Sequence, residues 1–371
     1  MIKVPLCDLS AQHEAIAFET SDAIKRVVTK QRFVLGEEVQ AFEEEFSEKL
    51  GVAHTIGVGR GSDALALALL ACGVEPGDGV ITTAYTFVAT ASAIDRIGAI
   101  PVFVDVTPGG VQIDPGAVRA AFEASAIKIS AIVCVHLFGQ FGDLAALTAI
   151  ATEKGVPLVE DAAQAYGATY DGHAAGTFGT AACYSFFPSK TLGAWGDGGA
   201  VVTNDANVAA RMRSLRAHGI DRATGEYAGA GDNSRLDAIQ AAILRIKLRH
   251  VGSWIKSRRA LAAAYRRHFS SSPHIVHPNE QAREVGTFNP LVVRANERDG
   301  LVAHLRDRGI EARVYYGRPL TLEPRFANAV KHDVTHAIEA GKSRVALPLY
   351  FGMTEEKIAY VVDGVNSFYA R

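Results

Sequence analysis

The stretch CYSFFPSKTLGAWGDGGAVVT, Cys183 to Thr203, decides how the rest of the chain is read. It holds one lysine, Lys190, in a run otherwise free of Lys and Arg. Ser185 precedes it, and Gly193, Gly196, Gly198 and Gly199 follow. The apolar runs Ala182–Phe186 and Gly199–Thr203 at either end predict strands. A lysine set among aromatics, small residues and glycines is unusual for a surface loop. It reads as a reactive amine held in a cleft, with a loop lysine that caps a helix end as the plain alternative.

Working outward, the same alternation fills the chain from about residue 52. Strands are predicted at His54–Val58, Gly79–Thr82, Pro101–Asp105, Ala131–Val135 and Pro157–Glu160. Ser62–Cys72, Val88–Ile97, Pro115–Ala124 and Leu144–Lys154 fill the gaps as helices. Seven strands with helical crossovers predict a three-layer α/β sheet, mostly parallel. Ligands of such sheets lie beyond the carboxyl ends of the strands. Residues 11–50 carry two apolar helical faces, Ile16, Ile24, Val27 and Val28, then Phe42, Phe46 and Leu50 after Gly36. Past residue 204 the alternation stops. A helix is expected at Arg211–His218, a glycine-rich loop at Gly225–Asp232, and long helices at Arg235–Arg249 and Trp254–Phe269. The connection Ser270–Pro278, a strand at Thr287–Val293, a helix at Arg298–Arg308, a strand at Ala312–Tyr316 and a helix at Thr354–Phe368 complete the chain. The expectation is a large α/β domain over residues 1–245 and a smaller α+β C-terminal domain over residues 246–371.

Composition excludes several function classes. The chain has 371 residues, 48% apolar and 21% charged, as soluble globular proteins do. A net charge of -2 provides no field for nucleic acid or a membrane surface. Cys7, Cys72, Cys134 and Cys183 form no CxxC pair, and the histidines do not cluster, so no metal site is expected. The opening MIKVPLCDLS lacks a signal-peptide core, and the apolar run Ala64–Val74 is too short to span a bilayer. A reducing cytoplasm is the expected location.

Three further strand ends carry candidate chemistry. In VGRGSDALALALL, Val58 to Leu70, Gly59 and Gly61 allow a tight turn and Ser62 stands where a helix begins. Its free N–H groups would make an anion cup, or Ser62 is an ordinary N-cap. In YTFVATASAI, Phe87 could cover a flat ligand or simply join the core. In VPLVEDAAQAYGA a buried strand ends in Glu160-Asp161, with Gln164 three residues on. A carboxylate there needs a positive partner, unless it caps the next helix. Cup, aromatic, carboxylate and lysine at one sheet edge are the equipment for pyridoxal 5′-phosphate. Asp161 would keep the ring nitrogen protonated, and Lys190 would move protons.

The blocks GSDAL, YTFVATASAI, PVFVDV, VHLFGQ, VEDAAQAYGA, SFFPSKTLGAWGDGGAVVTND, NSRLDAIQAAIL and LPLYFGMTEEK carry a resemblance over nearly the whole chain. The sequence resembles the sugar aminotransferases of the DegT/DnrJ/EryC1/StrS family, pyridoxal-phosphate enzymes of the aspartate aminotransferase fold (fold type I). The resemblance implies that Lys190 carries the cofactor as a Schiff base and Asp161 pairs with its ring nitrogen. Gln164 would lie beside the ring hydroxyl and Phe87 on the ring face. Gly61, Ser62 and Ser185 would hold the phosphate. It implies homodimers with shared active sites, Asn233 reaching the partner's phosphate and Arg235–Arg249 helping to build the interface. The reaction implied moves an amino group from L-glutamate, through pyridoxamine phosphate, to a nucleotide-linked keto sugar. The blocks around Lys190 look most like those of enzymes acting at C3 of dTDP-3-keto-6-deoxyhexoses, for deoxyaminosugars of O-antigen, S-layer or antibiotic glycans. UDP-3-keto-uronic acids and 4-keto sugars are the alternatives. His136, Tyr184, Tyr315, Tyr316 and Arg318 are the implied substrate contacts. In EARVYYGRPL, Tyr315 and Gly317 replace the family's usual histidine and first proline, and Arg60 stands where Asn is frequent. Related sugar dehydratases carry histidine in place of the lysine, which Lys190 argues against. A regulatory module would not need Lys190, Asp161 and Gln164 together, and no basic DNA-binding segment is present.

Overall fold

All seven expected runs form strands: β1 (His54–Val58), β2 (Gly79–Thr83), β3 (Ile100–Val104), β4 (Ile129–Val135), β5 (Leu158–Asp161), β6 (Ala181–Ser185) and β7 (Gly199–Thr203). The computed structural model describes residues 3–221, 224–227, 229 and 231–371. The sheet order is β1-β7-β6-β5-β4-β2-β3. Only β7 runs against its neighbours β1 and β6; the other pairs are parallel. An eighth strand, Val330–Lys331, joins parallel to β3 from the C-terminal part of the chain. Seven were expected, because two residues are too few to show a period.

Both faces of the sheet are covered, so its strands are apolar throughout rather than alternating. Successive residues still point to opposite layers. Ile81, Ile132 and Tyr184 pack with Phe42, Phe46 and Leu147, from α2 (Glu37–Leu50) and α6 (Leu144–Lys154). Their neighbours Val80, Val133 and Cys183 pack with Leu65, Leu69 and Met212, from α3 (Gly61–Ala71) and α7 (Ala206–Leu215). Helix ends follow local chemistry. Asp143 accepts from the Ala146 N–H at the start of α6, and Gly155, at φ 65°, ends it. Asp205 caps α7, which begins at Ala206 instead of the expected Arg211.

The two long helices expected at Arg235–Arg249 and Trp254–Phe269 are one, α8 (Ala238–Phe269, 32 residues). Gly252 lies inside it at a cost of about 1 kcal/mol. The burial of Val251 and Trp254 on either side, worth about 1.5–3 kcal/mol for each side chain of this kind, outweighs that cost. The expected boundary at residue 245 falls within this helix. Its first half, through Ile246, Val251 and Trp254, shares a core with the sheet. Its second half, through Ala262, Tyr265 and Phe269, shares a core with the C-terminal part. There, Leu291–Ala295 lies between Ile275–Val276 and Arg344–Leu347 in a small antiparallel sheet. The strand expected from Thr287 begins only at Leu291, since Pro290 has no N–H for a ladder. Ala312–Tyr316 is not a strand; apart from one bridge between Arg313 and Ala346 it runs irregularly. The loop expected at Gly225–Asp232 includes Ala228 and Ala230, which lie outside the described residues. Among the described residues, no helix is long and apolar enough to cross a membrane.

Candidate active site

A cavity of about 410 Å³ opens at the carboxyl ends of β1, β5 and β6. Two glycines allow its floor to close. A Cβ on Gly61 would lie 2.6 Å from Ser185 Cβ, and one on Gly199 would lie 2.6 Å from the Arg60 carbonyl carbon. The start of α3 therefore sits directly against the end of β6 and the start of β7. Arg60, Gly61, Ser62 and Ser185 all line the cavity. Asp63, 4% exposed, anchors this corner from behind. It accepts from Arg96 Nη1 (2.6 Å), Arg60 Nε (3.0 Å) and Ser234 Oγ (2.7 Å). Ser234 Oγ in turn accepts from the Gly59 N–H. Burial opposes ionisation of Asp63, but those hydrogen bonds outweigh it and hold the carboxyl below its ordinary range.

Asp161 ends β5 and is buried. Its Oδ2 accepts from Thr90 Oγ1 at 2.8 Å, from α4 (Val88–Arg96), and its Oδ1 from the Ala163 N–H at 3.2 Å. Burial pushes this carboxyl up; the two hydrogen bonds and the Lys190 charge pull it back in part. Lys190 lines the same cavity. Burial pushes its amine down, against the pull of Asp161. Among the described residues, no hydrogen bond reaches its Nζ. Gln164 is fixed through Oε1, which accepts from the Phe138 N–H at 2.7 Å. Phe87, at the mouth, is 53% exposed, and its ring lies 6.0 Å from that of Tyr316.

The expected substrate contacts separate into two groups. Tyr315 and Tyr316 line the cavity. Their shared peptide is clamped by the buried Tyr85, whose hydroxyl donates to the Tyr315 carbonyl and accepts from the Tyr316 N–H, 2.7 Å each. His136 reaches the cavity wall, but its Nε2 is engaged by buried Glu160 at 2.7 Å. Glu160 also accepts from the N–H groups of Gly176, Phe178 and Gly179. Tyr184 is not brought to the cavity. The two-residue period of β6 turns it into the opposite core, where its hydroxyl donates to the Ala175 carbonyl. Arg318 lies outside as well, paired through Nε and Nη2 with Glu323. Asn233 is exposed and does not line its own chain's cavity.

Sequence reasoning missed Thr90, Tyr85, Asn289 and Arg258. Thr90 had a signal: it follows Phe87 by three residues, in the first turn of the helix that Phe87 precedes. The other three are brought in by long-range packing and had none.

This set fits pyridoxal phosphate on structural grounds. An amine without a hydrogen bond and a buried carboxylate share one cavity. Beside them a helix start and two serines meet at glycines that a Cβ would obstruct.

Comparisons with known proteins agree. The model of the DegT/DnrJ/EryC1/StrS aminotransferase family matches residues 14–366. A "Pleiotropic regulatory protein" of Geobacillus stearothermophilus is 43% identical over 372 residues, 99% of each chain. The "dTDP-3-amino-3,4,6-trideoxy-alpha-D-glucose transaminase" of Streptomyces venezuelae is 38% identical, over 100% of this chain and 97% of its own. A crystal structure of S. venezuelae DesV superposes with a TM-score of 0.95 at 38% identity, covering 100% of both chains.

Proposed function

The chain belongs to the DegT/DnrJ/EryC1/StrS aminotransferase family, whose members use pyridoxal phosphate, and on that premise we propose how its residues serve the reaction. The observation that carries the reading is the Lys190 amine, without a hydrogen bond among the described residues, sharing a cavity with the buried Asp161 carboxylate. When bound, the cofactor supplies a carbonyl that takes up an amine and a ring that accepts electrons. Lys190 would hold it covalently. Asp161 would hold the ring nitrogen, Gln164 the ring hydroxyl and Phe87 the ring face. Gly61, Ser62 and Ser185 would hold the phosphate, joined by Asn233 of a second subunit in a homodimer. Asp161 is kept in position by Thr90 and Ala163, so its charge is already oriented before any ligand arrives. The same burial that lowers the basicity of Lys190 raises its neutral fraction, which lets Nζ take up and return a proton.

The proposed donor is L-glutamate. The proposed acceptor is a nucleotide-linked keto sugar aminated at C3, a dTDP-3-keto-6-deoxyhexose, in cytoplasmic synthesis of deoxyaminosugars. The S. venezuelae transaminase supports this choice by its name and its identity over the full chain. A second reading, a UDP-linked 3-keto sugar, is supported by relatives named for UDP-linked 3-dehydro and 3-oxo sugars, each 36% identical. Two measurements test the proposal. The purified protein with pyridoxal phosphate should absorb at about 400–430 nm, and Lys190→Ala should abolish that band. Mass spectrometry after incubation with L-glutamate and dTDP-, UDP- or GDP-linked keto sugars should find the amino product. If the band persists in Lys190→Ala, the covalent role is wrong; if no keto sugar is aminated, the substrate class is wrong.

A further inference from the structure

A second lysine meets the loop that carries Lys190, this one from the long helix. Lys247, on α8, is 1% exposed, and its neighbours Leu244, Leu248 and Val251 belong to the core shared with the sheet. Lysine is almost never fully buried without a partner of opposite charge. Among the described residues no carboxylate pairs with Lys247, and its one hydrogen bond runs from Nζ to the Gly193 carbonyl at 2.6 Å. Burial pushes its amine down to about 8, so the group still carries its charge near neutral pH. The Gly193 carbonyl in turn has no other donor among the described residues.

The loop is one that a tether would hold. It folds back so tightly that a Cβ on Gly193 would lie 2.4 Å from the Pro188 carbonyl oxygen. Its own backbone closes two bonds, from the Lys190 N–H to the Phe187 carbonyl at 2.8 Å and from the Ala194 N–H to the Phe186 carbonyl at 2.7 Å. Gln240 stands seven residues before Lys247, about two turns along one helix face, and its Oε1 accepts from the Trp195 N–H at 2.8 Å. Asn289 Nδ2 donates to Thr191 Oγ1 at 2.8 Å. The chain that follows Lys190 is therefore attached at Thr191, Gly193 and Trp195. Of these bonds only the one to Gly193 has a charged donor, which makes it about twice as strong as a neutral bond. We propose that Lys247 is a positioning residue, whose ammonium fixes the loop through the Gly193 carbonyl and so holds Lys190 in place in the cofactor-free protein. This rests on the reactive role proposed above for Lys190.

The test compares the full-length wild type with Lys247→Met, which keeps a long apolar stem and removes both charge and donor. Without cofactor, amide hydrogen exchange read by mass spectrometry should speed up about 10- to 100-fold over residues 187–195, the factor for losing one hydrogen bond to a charged group. Peptides spanning β4 and β5 should change by less than about threefold. At saturating pyridoxal phosphate, the absorption band should form at least about 10-fold more slowly, because the reacting amine is displaced. A merely structural role would speed exchange in the loop, β4 and β5 alike. Lys247→Gln, which returns a neutral donor, should fall between wild type and Lys247→Met, and replaces the latter should it not fold. Unchanged loop exchange, equal acceleration throughout, or a normal rate of band formation overturns the assignment. If loop exchange rises locally but Lys190→Ala keeps the band, the reactive role of Lys190 fails and the tether stands.

Discussion

Asp63→Asn tests whether the corner behind the proposed phosphate cup is held by charge. The substitution keeps the side chain's shape and removes one negative charge from a site that accepts three hydrogen bonds. Arg60 and Arg96 are 57% and 36% exposed, so screening limits each of their pairs to under about 1 kcal/mol. The bond from Ser234 to a buried carboxylate is worth about 1.5–3 kcal/mol. The expected loss is about 3 kcal/mol in total. At about 2.1 cal/mol/K per residue over 371 residues, the unfolding entropy is about 0.8 kcal/mol/K, so the melting midpoint should fall by about 4 °C. The pH dependence has a fixed sign. The folded carboxyl is held below its unfolded value of about 3.8, so its contribution is present above that pH and is lost as pH falls through the lower folded value. The variant cannot titrate. The gap between the two proteins, followed by circular dichroism during heating, should therefore be full near neutral pH and close in acid. A gap under about 1 °C near neutrality, or one that persists unchanged in acid, would refute the reasoning.

Other substitutions probe the remaining parts. Asp161→Asn should fold normally and slow amino transfer by at least about 100-fold, the scale for losing one fixed charge at a reacting centre; a near-normal single-turnover rate would remove Asp161 from the role given to it. Tyr85→Phe leaves the Tyr315 carbonyl and Tyr316 N–H without their partner, at about 1–3 kcal/mol. It should raise KM for the keto sugar about 5- to 10-fold while the cofactor absorbance stays intact, and a change in absorbance alone would contradict that. Mixing inactive Asn233→Ala and Lys190→Ala subunits should restore activity, because one site of the mixed dimer is then complete. Failure to recover activity in subunits shown to exchange would place Asn233 in its own chain's site or in none.

Much of this arrangement was legible in the sequence because strand ends are legible. Apolar runs of five residues bounded by Gly, Pro and Asp fix where each strand stops, and Asp161 and Lys190 sit at or just beyond such stops. The sequence failed where direction mattered more than position. Tyr184 and Ser185 are adjacent, yet the pleat sends Tyr184 into the core while Ser185 lines the cavity. His136 reaches the cavity wall, but its ring nitrogen is taken by Glu160, which reads in sequence only as a neighbour of Asp161. Arg258 looks like any charged residue on a long helix; only tertiary packing buries it against the carbonyls of Phe288 and Leu349. The helices expected on either side of Gly252 are one, because a glycine's local cost is visible in a sequence and the packing that overrides it is not.

The continuity of α8 bears on how members of this family can be recombined. At about 1.5 Å per residue the helix is roughly 48 Å long, and its two halves serve two separate cores. A chimera joined at residue 245 would unite a helix start matched to one parent's sheet with a helix end matched to another parent's C-terminal core. A junction after Phe269, in the Ser270–His274 connection, would transplant the whole helix with the sheet it packs on and leave only the contacts of its second half to be rematched.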